Sequence, residues 1–136
     1  MRLAYRIVGG LLVVVFSFIA TLAILDFMDN GLPRCPAGLT TPLSGPFSKF
    51  GATGYAYLVP MPAFNQFADS LDNANRSGML VCEDGKLLGP AHSAAADIAK
   101  AGRGRFLHWR ELGFIFSTSD NTNPNNSGRV YSIVNP

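Results

Sequence analysis

The side chains that could carry acid–base or nucleophilic chemistry are few and scattered along this sequence. His92 and His108 are its two histidines, and Glu83, Asp97 and Asp120 are the carboxylates that accompany them. No serine sits in a nucleophile elbow, and no HxxxH or HExxH spacing would place two ligands on one helix face. We therefore expect no catalytic residue and no bound cofactor.

The two cysteines, Cys35 and Cys82, are too few for a structural zinc site, which needs four ligands in close pairs. One interpretation is a disulfide that closes a long loop and stabilises the fold by about 3–4 kcal/mol. The alternative is that Cys82 is a small core residue of a strand.

The Asn-rich stretch over residues 120–128 raises the question of calcium, because carboxylate and amide oxygens are its ligands. Calcium sites use several carboxylates, whereas this stretch holds Asp120 alone. The alternative is a structured connection, since Asn and Asp readily bond to their own backbone. We expect no metal here.

Carbohydrate binding needs exposed aromatic rings beside amide, carboxylate or guanidinium groups. Tyr55 and Tyr57 are candidate platforms, although aromatic residues of a small domain often lie in its core. The candidate contacts for a ligand or partner are His108, Trp109, Asp120, Asn121, Asn123, Arg129 and Tyr131.

The elements that would position these residues are mostly strands. Apolar residues alternate with polar ones in short runs that Gly, Pro, Asn and Asp interrupt, as strands do. Asp84-Gly85 favours a tight hairpin. Strands are predicted over 53–59, 79–83, 86–88, 104–109, 112–118 and 128–134.

Two short helices complete the prediction. Residues 93–101 are Ala-rich, with Ser93 placed as the N-cap and Gly102 after the end. Residues 62–71 fit either a short helix or a strand. The fold class predicted for residues 51–136 is therefore mainly β, an antiparallel sandwich or barrel-like domain with one or two short helices.

Trp109 is the only tryptophan. Neighbours in a strand point to opposite faces, so Trp109 and Leu107 share one face and His108 lies on the other. We expect the indole in the core and His108 on the loop side, so that Trp109→Ala unfolds the domain and His108→Ala is tolerated.

The N-terminus has the pattern of a membrane anchor. Arg2 and Arg6 precede the uncharged residues 7–25, and Asp26 follows. As a helix this run would be roughly 28 Å long, which matches the hydrocarbon core of a bilayer. The charge asymmetry places residues 1–6 in the cytoplasm. The alternative is a cleaved signal peptide, whose apolar region is normally shorter.

Gly10, Ser17 and Ala20 are small residues on this otherwise bulky helix and could let a partner helix approach. The alternative is ordinary membrane-helix composition. Residues 26–50, rich in Pro and Gly, are expected to form an extended tether without regular helix or sheet.

One group of motifs resembles a small uncharacterised bacterial β-rich module over roughly residues 55–133. The pattern is EDG at 83–85, LGPxH at 88–92, GxGRFxHW at 102–109, FSxSDN at 116–121, Pro124 and GRxY at 128–131. That module occurs alone or appended to larger proteins, often in membrane and cell-surface polysaccharide contexts. The resemblance implies a β-rich fold and an envelope setting, and it implies no reaction.

These patterns favour a non-enzymatic, single-pass accessory or interaction subunit of a larger bacterial membrane complex. It would sit in the inner membrane with its β-domain in the periplasm, contacting the lipid bilayer and other subunits. The alternatives are a periplasmic carbohydrate-binding module and a small envelope enzyme. Nucleic acid is not an expected partner, because the net charge is only +2 and the basic residues are dispersed.

Overall fold

The structure is a computed structural model and describes residues 31–136. The predicted membrane helix over residues 7–25, with Gly10, Ser17 and Ala20, lies outside the described residues. Between residues 31 and 136 there is no helix that is both long and apolar enough to cross a membrane.

Two four-stranded antiparallel sheets form the framework of the described chain, which confirms the prediction of a mainly β fold. The first sheet has the order β1-β8-β4-β5 and comprises β1 (Leu39–Leu43), β4 (Leu80–Glu83), β5 (Lys86–Leu87) and β8 (Tyr131–Asn135). The second has the order β2-β3-β7-β6 and comprises β2 (Ser48–Lys49), β3 (Tyr57–Val59), β6 (Phe106–Trp109) and β7 (Gly113–Phe116).

Two short helices accompany the sheets, as predicted: a 3₁₀ helix over Pro62–Phe67 and an α-helix, α1, over Ala95–Lys100. The prediction that Ser93 caps α1 is wrong. Ala94 occupies the cap position without a side-chain bond, and the Ser93 hydroxyl instead donates to the carbonyl of Pro90 at 2.8 Å.

The two sheets pack against each other through aromatic rings. The Phe116 ring of the second sheet lies 5.3 Å from the Tyr131 ring of the first, centroid to centroid. Phe47, from the connection between β1 and β2, packs edge-on against both, at 5.3 and 5.5 Å. All three side chains are buried, so this contact is a main part of the sandwich core.

The opposite face of the second sheet is also covered. Leu107 and Ile115 face each other across β6 and β7 and pack with Ala56 and with Ile98 of α1. Both faces of this sheet are therefore buried, which explains why β7 is buried at every position.

Residues 26–50 are not a tether throughout, contrary to expectation. β1 and β2 lie within this range, and β1 pairs with β8 from Leu39 to Leu43. Pro42 is tolerated because β1 is an edge strand with β8 as its one sheet neighbour. Leu43 and Phe47 are buried, so the core begins before residue 51, the predicted start of the β-domain.

The predicted hairpin at Asp84-Gly85 is confirmed, with both residues at positive φ, 50° and 75°. The strand before it carries Cys82, which forms a disulfide with Cys35 across a Cα–Cα distance of 6.2 Å. Cys82 is also buried within β4, so it is both a disulfide partner and a small core residue of a strand. The disulfide joins the segment before β1 to the centre of the first sheet.

We predict that the domain tolerates removal of residues 1–30 but not removal of residues 1–50. Residues 34–136 form one compact unit, so a chain starting at residue 31 should keep a β-type circular dichroism spectrum and a cooperative thermal melt. A chain starting at residue 51 lacks β1, β2, Phe47 and Cys35 and should lose the cooperative transition. Equal melting midpoints for the two fragments would contradict the role given to this segment.

Candidate functional site

A fully buried carboxylate, Asp69, holds a partly exposed imidazole, His92. The Oδ2 atom of Asp69 lies 2.7 Å from Nδ1 of His92, whose side chain is 30% exposed. The other oxygen, Oδ1, accepts the backbone N–H of Ser77 at 2.8 Å. Both oxygens are bonded, so the carboxylate is fixed and in turn fixes the ring. Within residues 31–136, Nε2 of His92 has no hydrogen-bond partner.

Strand β6 positions both members of this pair through its backbone. The Asp69 N–H donates to the carbonyl of His108 at 2.8 Å, and the N–H of Arg110 donates back to the Asp69 carbonyl at 2.9 Å. On the His92 side, the N–H of Ser93 donates to the carbonyl of Phe106 at 3.1 Å. The two loops are therefore attached to the same strand.

His92 itself has a left-handed backbone, with φ of 53°. This conformation is uncommon for residues other than glycine, and such positions occur often at ligand sites. The conformation is held by the contacts of its neighbours with β6 and by the bond to Asp69.

The His92 ring lies at a pocket of about 390 Å³ on the covered face of the second sheet. We call it the Trp109 pocket, after its largest side chain. Its size is within the range of natural small-ligand sites. Its lining comprises Phe50, Ala74, His92, Ser93, Ala94, Ala95, Leu107, Trp109, Leu112 and Ile115.

His92 is the polar side chain of this lining that is available to a ligand. The other polar member, Ser93, has its hydroxyl proton directed at the carbonyl of Pro90. The remaining lining side chains are apolar apart from the indole N–H of Trp109. The pocket therefore combines apolar walls with one oriented imidazole, a combination that favours binding of a mainly apolar group.

A second histidine lies close by and is buried. His108 is 1% exposed, its Nδ1 lies 2.8 Å from the hydroxyl of Ser77, and its ring stacks on Phe114 at 4.1 Å. Burial lowers the pKa of His108 to about 4, although the negative charge of Asp69 acts in the opposite direction. The ring is therefore neutral at physiological pH.

Ser77, His108 and Asp69 do not form a hydrolase triad, although all three residue types are present. In a triad the serine bonds one imidazole nitrogen and the carboxylate bonds the other. Here Ser77 bonds Nδ1 of His108, the Asp69 carboxylate bonds His92 instead, and Nε2 of His108 has no partner among the described residues. Ser77 is also buried and so is not accessible from solvent.

The expected placement of His108 is wrong. Phe106 and His108 point into the space between the sheets, whereas Leu107 and Trp109 point to the face under α1. Alternation along β6 is as predicted, but both faces of the sheet are covered. His108 is consequently the more buried residue, and Trp109 is partly exposed at the pocket.

The predicted contacts Asp120, Arg129 and Tyr131 come together around Glu83. Arg129 Nη1 lies 2.8 Å from Glu83 Oε1 and 2.9 Å from Asp120 Oδ1, and Nη2 lies 2.7 Å from Asp120 Oδ2. The Tyr131 hydroxyl donates to Glu83 Oε1 at 3.1 Å, and the N–H of Ser119 donates to Oε2 at 3.1 Å. We call this set the Glu83 network.

The charges of this network stabilise one another. Hydrogen bonds from Arg129 hold the pKa of Asp120 well below its usual range. The carboxylates of Asp120 and Glu83 raise the pKa of Arg129, and burial raises the pKa of Tyr131 to about 12. The groups are bonded to each other, which is typical of a network that fixes a loop rather than of an open binding site.

Asn121 and Asn123 have the same kind of role. Asn121 accepts the backbone N–H of Arg103 at 2.6 Å and donates to the carbonyl of Ala101 at 3.2 Å. Asn123 accepts the N–H of Asn125 at 3.0 Å. Their side chains bind this chain's own backbone. Nowhere in residues 31–136 do three or more His, Cys, Asp or Glu side chains cluster as metal ligands would.

Trp109 is the predicted contact residue that lines the pocket. The sequence alone does not single out Asp69 or the other apolar walls of the pocket, and it does not mark His92 as a site residue. No spacing links Asp69 to His92, because β6, which brings them together, lies after both in the chain. Leu112 and Phe50 likewise have no motif that would mark them.

We predict that His108 makes stability depend on pH. The unfolded chain takes up a proton near the ordinary pKa of 6.5, whereas the folded chain does so only near 4. The free energy of unfolding should therefore fall as pH is lowered from 6.5 to 4, with His108 contributing up to about 3 kcal/mol. Urea titrations across this range measure it. His108→Asn should have a flatter profile than the parent, and identical profiles would contradict the prediction.

We predict a structural role for Arg129. Arg129→Ala leaves the buried Glu83 carboxylate without its cation and should lower the free energy of unfolding by roughly 2–4 kcal/mol. Asp120 is far more exposed, so Asp120→Asn is the control and should cost less than about 1 kcal/mol. Urea denaturation compares the two. An Arg129→Ala protein of unchanged stability would show instead that Arg129 is free to contact a ligand.

The comparisons with known proteins leave this site to be interpreted from its own geometry. The chain matches no protein-family model, and searches of curated proteins and of solved structures find no match to it.

Proposed function

We propose that this chain is a membrane-anchored interaction subunit of a bacterial membrane complex, whose periplasmic β-domain binds a partner protein at the Trp109 pocket. The observation that carries the proposal is this pocket, in which apolar walls meet an imidazole oriented by a buried carboxylate. The role is one of binding and not of catalysis.

The membrane part of the proposal rests on the sequence. Residues 7–25 are uncharged, Arg2 and Arg6 precede them and Asp26 follows, which favours a single span with the N-terminus in the cytoplasm. The disulfide between Cys35 and Cys82 supports a domain on the periplasmic side, because disulfides form and persist in oxidising compartments.

The size and walls of the pocket support a protein partner. A volume of about 390 Å³ accommodates one large side chain with part of its backbone. Fully burying such a side chain contributes about 1.5–3 kcal/mol, and interfaces commonly depend on a few such anchors. Leu112, at the pocket, is 38% exposed and extends the apolar surface that a partner would cover.

Binding fits the site better than hydrolysis does. Hydrolysis through a serine nucleophile would need a free hydroxyl beside His92, but the hydroxyl of Ser93 bonds the Pro90 carbonyl and that of Ser77 bonds His108. Carbohydrate is also a weaker fit. The amide and charged groups of residues 120–131 bond within the chain, and aliphatic side chains predominate around Trp109.

Site-specific photo-crosslinking in the bacterial envelope tests the proposal. A photoreactive phenylalanine analogue at Leu112 should give one discrete adduct with a membrane-complex protein. The same analogue at Leu39, which is 73% exposed on β1 of the other sheet, is the matched control and should not give it.

A variant that fills the pocket completes this experiment. Ala94→Trp places an indole at the pocket lining and should abolish the Leu112 adduct without affecting the membrane location of the chain. An adduct equally strong at Leu39, or one that survives Ala94→Trp, would contradict binding at the pocket.

A further inference from the structure

We propose that the group which enters the Trp109 pocket is a tyrosine side chain of the partner, whose phenol hydroxyl donates a hydrogen bond to Nε2 of His92. This inference rests on the proposed function, because it names the partner's chemistry at the same site.

The first step is the tautomer of His92. The Oδ1 atom of Asp69 accepts the N–H of Ser77, and Oδ2 faces Nδ1 of His92 at 2.7 Å. A carboxylate only accepts hydrogen bonds, so the nitrogen that faces it carries a proton, and in the neutral form of the ring this is Nδ1–H. The ring's Nε2 then carries a lone pair and can only accept.

The second step is the chemistry that this lone pair selects. The pocket that His92 lines has walls of Trp109, Phe50, Leu107, Leu112 and Ile115, so the occupant must be mostly apolar. Because its polar atom must donate to a nitrogen, a carboxylate or an ether is disfavoured. An aromatic ring that ends in a hydroxyl meets both requirements, and tyrosine is the protein side chain of that description.

The third step is the cost of leaving this acceptor unsatisfied. A partner that covers the pocket removes His92 from water, and a buried acceptor without a donor costs more than the bond itself contributes. Phenylalanine would therefore bind less well than tyrosine although it fills the same apolar space.

The test uses the full chain in lipid nanodiscs at pH 8 with three probes: N-acetyl-tyrosinamide, its O-methyl ether and N-acetyl-phenylalaninamide. Trp109 is the only tryptophan, so indole fluorescence, excited where phenols absorb little, reports binding at this pocket. The parent should bind the tyrosine probe about three- to tenfold more tightly than the other two, as one hydrogen bond of about 1 kcal/mol implies.

Asp69→Asn provides the sharpest variant. Its side-chain oxygen can still accept the N–H of Ser77, but its amide now donates to Nδ1 and moves the ring proton to Nε2. The O-methyl probe can then accept from Nε2–H, so its disadvantage against the tyrosine probe should disappear. A ratio of affinities unchanged from the parent would overturn the proposal.

A second variant and a second measurement cover the case in which Asp69→Asn does not fold. His92→Asn removes the imidazole while tolerating the left-handed backbone, and it should abolish the preference among the probes. The chain has two histidines, so ¹⁵N spectra of histidine-labelled protein resolve both rings. The His92 Nε2 resonance should shift with the tyrosine probe and not with the phenylalanine probe.

The outcomes separate the two proposals. Equal binding of all three probes to the parent would overturn the tyrosine assignment and leave the pocket as a binding site. Failure of every probe to bind, together with loss of the Leu112 adduct, would overturn both. Failure of every probe while that adduct persists would overturn the tyrosine assignment alone.

Discussion

The buried carboxylate of Asp69 is the constraint on which the arrangement of this domain's pocket depends. Removing an ionised carboxylate from water costs several kcal/mol unless its oxygens are bonded. Asp69 meets this requirement with the N–H of Ser77 and the ring of His92. Three separate segments, at residues 69, 77 and 92, are thereby held against β6. The orientation of the imidazole at the pocket is a consequence of satisfying this one charge.

The second sheet supplies the surface on which the pocket forms. Its inner face packs against the first sheet through Phe116, and its outer face packs under α1 through Ile98. A six-residue helix is too short to cover the outer face completely. At its start it presents Ala94 and Ala95, whose side chains are too small to fill the space beside Trp109. The pocket exists because only small side chains cover this part of a sheet face that is buried elsewhere.

Local patterns predicted the regular parts of the fold well. The hairpin at Asp84-Gly85 depends on two residues that tolerate positive φ, and the β6 and β7 strands lie in short apolar runs separated by Arg110 and Glu111. Both are short-range properties that the sequence carries directly. The failures are long-range. The prolines and glycines of residues 26–50 predict a segment without strands. An edge strand that contains Pro42 needs no donor on its free side, however, and only pairing with β8 shows that β1 is at the edge.

The candidate site was harder to predict for the same reason. Alternation places His108 and Trp109 on opposite faces of the sheet. It does not predict that both faces are covered, or which of the two residues is more deeply buried. The pairing of Asp69 with His92 depends on backbone bonds to β6, a strand that follows both in the sequence. The sequence marks Asp120, Arg129 and Tyr131 only as candidate contacts for a ligand or partner. It does not predict their network, because the central member, Glu83, lies 46 residues from Arg129 and no sequence signal links the two.

The two buried carboxylates, Glu83 and Asp69, differ in how completely their partners are bonded within the chain. Glu83 is surrounded by Arg129, Tyr131 and the N–H of Ser119, and the far side of Arg129 is bonded in turn by Asp120. Every charged side chain of that network has a partner within the chain, so the network stabilises a loop. Asp69 is equally buried, but its partner His92 keeps one ring nitrogen without a partner among residues 31–136, at a pocket with apolar walls. A fold that needed only to satisfy the hydrogen bonding of Asp69 could do so with a fully internal donor. The partner of Asp69 is instead a partly exposed imidazole, and this difference from Glu83 is the geometric basis of the binding that we propose at the pocket.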